Sequence, residues 1–243
     1  MKITFLGTSH GVPEPHRKCS STLIEVNGSY YIIDMGAQAI EQLINRRIKI
    51  ESVKCIFITH MHGDHTDGLI SFTDLCSWYY KKAQPHFFFP GDVEKTKNAI
   101  NVWLECNGHS MREFEFSPVE EGAVFEDENI KVTAFKTAHI ENSYAFLVEA
   151  EGKRVLFSGD LCHKGPEEDF PVSVLQKELH LAVCECAHFG AHKYLPIFKG
   201  NENLKKLCFN HYSDRFLGSI LETEKELTEI PVFRATDDME ISI

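Results

Sequence analysis

The sequence lacks any apolar run near the roughly 20 residues that a bilayer-crossing helix requires, so no membrane partner is expected. Its opening, MKITFLGTSHG, has no basic region, apolar stretch or cleavage site of a secretory leader, and the expected location is the cytoplasm. No C-x-x-C pair occurs among the 8 Cys. Without a secretion signal these scattered thiols read as reduced and mostly buried, and a disulfide framework is not expected. Positive charge is in short supply: 25 Lys+Arg stand against 36 Asp+Glu, a formal net charge of −11. Non-specific grip on a phosphate backbone rests on Lys and Arg displacing counterions, so that class of partner is disfavoured. A local basic patch or a bound cation is not excluded. No Ser-, Gly- or Pro-rich linker, low-complexity tract or composition break divides the chain. Residues 1–243 therefore read as one domain, and 43% hydrophobic with 25% charged content excludes general disorder.

What is present is a grammar of short strands and amphipathic helices. Strands are expected at 2–6, 21–26, 29–33, 53–59, 86–89, 130–136, 144–150, 153–158, 181–185 and 207–209. Asn27-Gly28 and Glu151-Gly152 mark hairpin turns. Apolar spacing predicts helices over 37–48, 68–82, 92–106, 171–178 and 215–228. Between 106 and 130 an acidic, loop-rich connection is expected, and 231–243 reads as one or two edge strands. Two strand sets, each followed by helices, predict an α/β domain with two sheets inside and helices outside.

The 13 His are the unusual count. Thr59-His60-Met61-His62-Gly63-Asp64-His65 directly follows a nearly continuous apolar strand, where so many imidazole and carboxylate groups cannot all enter a core without partners. A loop turning them toward one divalent cation resolves this, and nitrogen with carboxylate oxygen suits zinc, with manganese or iron as alternatives. His139, Asp160 and His211 each lie just past another apolar strand. Together these are five His and two Asp, enough for two metals.

The segment HMHGDH resembles the H-x-H-x-D-H signature of the metallo-β-lactamase-fold hydrolases, and His139, SGD at 158–160 and His211 follow in that family's order. The resemblance covers nearly the whole chain and implies an αββα sandwich of two mixed β-sheets with outer helices. It also implies two divalent ions, Zn²⁺ first among the candidates. His60, His62 and His139 would hold one, Asp64, His65 and His211 the other, and Asp160 would bridge them. Asp34, in YYIIDMG, would support the metal loop by hydrogen bonding. A metal-bridging hydroxide would be the nucleophile, with Asp64 orienting or deprotonating it.

Within that fold family, FLGTSHGVP resembles the FLGT-G-x-P opening of ribonuclease Z and related phosphodiesterases. NHYSDRF at 210–216 is similar to that group's His-x-Ser-x-Arg-Tyr motif, which would aim Ser213 and Arg215 at a substrate phosphate. In CECAHFGAHKYLP the sequence departs from the group's pattern. Glu185 stands in place, Cys184 replaces a His, and the proton donor falls to His188 or His192. His192 is favoured by its spacing ahead of His211. Residues 66–138 hold no basic, Gly/Pro-rich arm of the kind that grips tRNA in long-arm ribonuclease Z enzymes. A small phosphodiester or nucleotide-type substrate is therefore preferred to tRNA 3′-processing. A thioester, lactone or β-lactam hydrolase on the same site, and a non-hydrolytic metal or di-iron sensor, are the rival readings. The resembled family commonly dimerises, so a second copy of the chain is a candidate partner.

Overall fold

The computed structural model describes residues 1–12 and 14–243; Pro13, which closes the FLGTSHGVP opening, lies outside the described residues. One sheet contains β1 (Lys2–Gly7), β2 (Ser21–Val26), β3 (Ser29–Ile33), β4 (Val53–Phe57), β5 (His86–Pro90), β6 (Glu115–Val119) and β14 (Glu240–Ser242). The other contains β7 (Gly122–Glu126), β8 (Lys131–Lys136), β9 (Tyr144–Ala150), β10 (Lys153–Phe157), β11 (Leu181–Cys186), β12 (Leu207–Tyr212) and β13 (Val232–Arg234). Their orders are β14-β1-β2-β3-β4-β5-β6 and β13-β12-β11-β10-β9-β8-β7. Counted from β14, the first sheet has three antiparallel pairings followed by three parallel ones, and the second sheet repeats this counted from β7, so both are mixed.

Both expected hairpins form, and their turn pairs show why those residues stand there. Asn27 and Gly28 take φ 51° and 78°, and Glu151 and Gly152 take 53° and 72°. A left-handed conformation at both central positions matches the twist of two-residue hairpins.

Alternation along the strands sorts side chains between two layers. Ile3, Phe5, Tyr31 and Phe57 pack against Val132, Phe146, Val155 and Val183 between the sheets. Phe88 joins that layer and stacks on Phe57 at 4.8 Å. Its neighbours Phe87 and Phe89 point outward instead, into the cluster containing Phe72, Ile100 and Leu104. Those residues come from α3 (Gly68–Trp78) and α4 (Val93–Cys106), which cover the first sheet together with α1 (Ala39–Asn45), while the single turn α2 (Gly63–Thr66) carries Asp64 and His65 just ahead of α3. On the other side, α5 (Leu195–Phe198) and α6 (Leu217–Glu226) supply Phe198 and Ile220 to the layer outside the second sheet. This is the αββα sandwich.

Several expectations change in detail. The connection after α4 is not all loop: β6 and β7 are the outer strands of the two sheets, and the chain crosses between sheets there. Edge strands need no continuous apolar pattern, and Pro118, which has no amide proton to donate, is tolerated in β6 because an edge strand is paired on one side only. The helix expected over 171–178 is a 3₁₀ segment, Val172–Gln176. β12 runs to Tyr212, so His211 lies inside a strand rather than beyond it. The final stretch contributes one strand to each sheet. Seven of the eight cysteines are buried, Cys184 and Cys186 among them, and Cys106 is exposed. Among the described residues no helix is long and apolar enough to cross a membrane.

Candidate metal centre

Loops after β3, β4, β8 and β10 and the last residues of β12 meet at one edge of the sandwich. Two groups of potential ligands form there: His60, His62, His139 and Asp160 in one, and Asp64, His65 and His211 in the other. In the first, His60 Nε2 and His139 Nε2 lie 3.0 and 3.2 Å from His62 Nδ1, and each lies 3.6 Å from Asp160 Oδ2. In the second, His65 Nε2 is 3.2 Å from Asp64 Oδ2, and His211 Nε2 is 3.7 Å from the same oxygen. Asp160 turns its other oxygen, Oδ1, toward this group, 3.5 Å from His65 and 3.3 Å from His211.

The remote ring nitrogens are fixed by acceptors, which sets the tautomers. His211 Nδ1 donates to the Ser9 carbonyl at 2.9 Å, and His65 Nδ1 donates to Asp34 Oδ2 at 2.8 Å. Asp34 also receives the Thr59 amide and hydroxyl at 2.8 and 3.0 Å, so the Thr59 oxygen is left to accept from His60 Nδ1 at 3.1 Å. In each of these three rings the Nδ1 partner leaves Nε2 facing the centre, where it could bind a cation. Holding these groups costs backbone strain: Asp34 and His211 sit at φ 61° and 48°, a region that non-glycine residues seldom occupy. Gly68 and Gly36 allow the close packing beneath. A Cβ on Gly68 would stand 2.4 Å from the Gly36 carbonyl, and one on Gly36 would stand 2.9 Å from the Asp64 carbonyl.

The electrostatics fit a cation. His65 Nε2 and Asp160 Oδ1 are buried atoms without a hydrogen-bond partner. Burial and neighbouring imidazoles push His60 down to about 2, and burial lowers His139, so both are neutral donors. Burial works against charge on Asp160, yet His211 and His65 hold its carboxyl well below the ordinary range. Burial likewise opposes a proton on His65, but Asp34 and Asp160 outweigh it and raise its pKa, so a positive charge is favoured at Nε2 and a metal ion there would take the place of the second ring proton. The centre is thus short of positive charge, and a nitrogen–oxygen donor set of this kind suits a divalent metal.

The remaining expected residues divide. Glu185 lies at the end of β11, buried, and its carboxylate accepts from the amides of Leu161, Ala187 and His188 at 2.7, 3.0 and 3.1 Å. It also takes the Nδ1 proton of His188 at 2.8 Å. His188 Nε2 then points inward, 3.9 Å from Asp160 Oδ2. His192 is not brought to the cluster: its Nδ1 lies 3.3 Å from Ser219 Oγ on α6. The turn after β11 decides this, because a 3₁₀ segment, Ala191–Tyr194, carries His192 round to the helix side. Ser213 is buried, and its amide donates to the Cys186 carbonyl at 3.2 Å. Arg215 is exposed; one guanidinium nitrogen donates to the Ala187 carbonyl at 2.8 Å and leaves the others open. Gly11 rims the site from the N-terminal loop, where a Cβ would lie 3.6 Å from the Asp64 carboxylate. Asp169, which the sequence pattern gave no reason to single out, accepts from the Ala138 and Cys162 amides.

Comparison with known proteins places this geometry. A family model described as anti-Pycsar protein Apyc1 matches residues 1–226. Ribonuclease Z of Geobacillus kaustophilus is 30% identical over 152 residues, 61% of this chain and 48% of that protein. The chain thus spans about half the length of that curated relative. The crystal structure of the short form of human tRNase Z superposes with a TM-score of 0.77 at 22% identity, covering 100% of this chain and 99% of that one. The metallo-β-lactamase fold protein YhfI from Bacillus subtilis gives 0.78 at 14% identity, covering 99% and 98%. The two superpositions establish the metallo-β-lactamase fold.

Proposed function

This chain belongs to the anti-Pycsar protein Apyc1 family, and from that premise we propose that residues 1–243 form one metal-dependent hydrolase domain acting on small, nucleotide-type phosphodiesters. The observation that carries the reading is Asp160, whose two carboxylate oxygens face two separate ligand groups. His60, His62 and His139 would hold one divalent ion, Asp64, His65 and His211 the other, with Asp160 between them. Zinc is the first candidate, and manganese or iron would fit the same donors.

Metals bound there would supply acidified water and neutralise charge growing on the attacked phosphorus. The protein's own groups would do the rest. Asp64 would orient the attacking water and take its proton. His188, rather than His192, would donate from Nε2 to the departing oxygen, because its other nitrogen is committed to Glu185. Arg215 would use its open nitrogens on a phosphate oxygen, with Ser213 in the same loop. Asp34 and Glu185 would keep the rings aimed.

The phosphodiester class is supported by the likeness to ribonuclease Z. Transfer RNA as substrate is disfavoured by the −11 charge and by residues 66–138, which are taken up by α3, β5, α4, β6, β7 and β8 without a basic arm. Purified protein is expected to contain about two zinc or manganese ions per chain and to cleave bis(p-nitrophenyl) phosphate. Chelation, His62→Ala or Asp160→Ala should abolish that cleavage. Metal-replete protein that leaves every phosphodiester intact would overturn the substrate reading.

A further inference from the structure

Two carboxylates grip consecutive backbone amides immediately after Asp160. Leu161 N donates to Glu185 at 2.7 Å, and Cys162 N donates to Asp169 Oδ2 at 2.9 Å. Each carboxylate also holds a second element of the site. Glu185 holds His188. Asp169 Oδ2 accepts the Ala138 amide at 2.7 Å, and Ala138 precedes His139 in the chain. One oxygen atom therefore joins the backbone beside His139 to the backbone beside Asp160, two residues proposed to hold the same metal.

We propose that Asp169 is a positioning residue that sets the first metal position by fixing His139 against Asp160. The proposal rests on the ligand assignment given above. Asp169 is itself anchored from the chain that follows: Phe170 is buried and packs edge-on against Phe198 at 5.2 Å. Thr137 adds a parallel tie, its hydroxyl lying 3.1 Å from the Asp160 carbonyl. Neither tie touches Asp64, His65 or His211. Loss of the Asp169 acceptor should therefore weaken the His60–His62–His139 position more than the other. The second oxygen of Asp169 is buried and makes no hydrogen bond, so accepting the two amides needs one oxygen and not the negative charge.

The test is zinc titration of metal-free protein against a competing chelator, for the wild type, Asp169→Ala and Asp169→Asn. The wild type should bind two ions. Asp169→Ala should bind one of them about 10–100-fold more weakly, the loss typical of removing a group that orients a ligand. A crystal of that variant grown with limiting zinc should show the ion between Asp64, His65 and His211. Asp169→Asn, which keeps an acceptor oxygen, should restore binding to within a few-fold. If Asp169→Ala does not fold, Asp169→Glu decides, because its extra methylene displaces the oxygen and should weaken the same ion. Undiminished binding of both ions by a folded Ala or Glu variant overturns the proposal. So does an Asn variant as impaired as Ala. Wild-type protein that binds no metal overturns the ligand assignment and this proposal together, whereas two ions in the wild type with unaffected variants overturns this proposal alone.

Discussion

Glu185 and His188 lie three residues apart, and the carboxylate receives the ring's Nδ1 proton at 2.8 Å while Nε2 faces Asp160 at 3.9 Å. Burial works against a charged ring here. The hydrogen bond and charge of Glu185, with Asp160 behind it, outweigh that and push His188 up to about 9. The donor role proposed for His188 needs that proton, so activity should hold below that value and fall with unit slope as pH rises through it. Glu185→Gln removes the raising charge and should move the basic limb down toward the ordinary histidine value near 6.5. The same shift makes the pair stabilising below about 6.5, with that stabilisation lost as pH passes about 9. A pH–rate profile of both proteins on bis(p-nitrophenyl) phosphate checks this, and a limb that stays in place removes His188 as donor.

Arg215 spends one nitrogen on the Ala187 carbonyl and is otherwise exposed. Arg215→Ala should raise KM for a phosphodiester about tenfold or more, the loss of one to a few kcal/mol expected for a charge-assisted contact. Turnover of a thioester or lactone by the same protein, if there is any, should be unchanged. Equal losses on both substrate classes would mean that Arg215 only braces the 187–188 backbone.

Gly68 begins α3 where no side chain fits, because a Cβ would meet the Gly36 carbonyl at 2.4 Å. Gly68→Ala must push α3 away from the 34–36 turn, whose Met35 amide and carbonyl bond to the His65 carbonyl and the Gly68 amide. The cost should be about 1–3 kcal/mol, an overpacking penalty. At roughly 2–4 °C per kcal/mol for a domain of this size, the melting midpoint should drop measurably. Zinc affinity should fall with it, since the His65 carbonyl is bonded to the same turn. An unchanged midpoint would show that the turn yields without strain.

The sequence by itself determined the donor set of the candidate centre and the layered fold. HMHGDH, His139, Asp160 and His211 all sit near strand ends, where side chains leave the core and can converge. Runs such as VKCIFIT and the two Gly-containing hairpins carry their structure in local pattern. The tertiary structure decided what depends on direction rather than position in the chain. β6 and β7 escaped the pattern because an edge strand buries little and need not alternate. His188 rather than His192 reaches Asp160 because a 3₁₀ turn after β11 rotates the later residue toward α6, and spacing along the chain does not encode that rotation. Asp169 carried no signal at all. A lone aspartate after Gly-Pro-Glu-Glu looks solvated, and only the folding of the 162–169 loop puts its oxygen between the segments that carry His139 and Asp160.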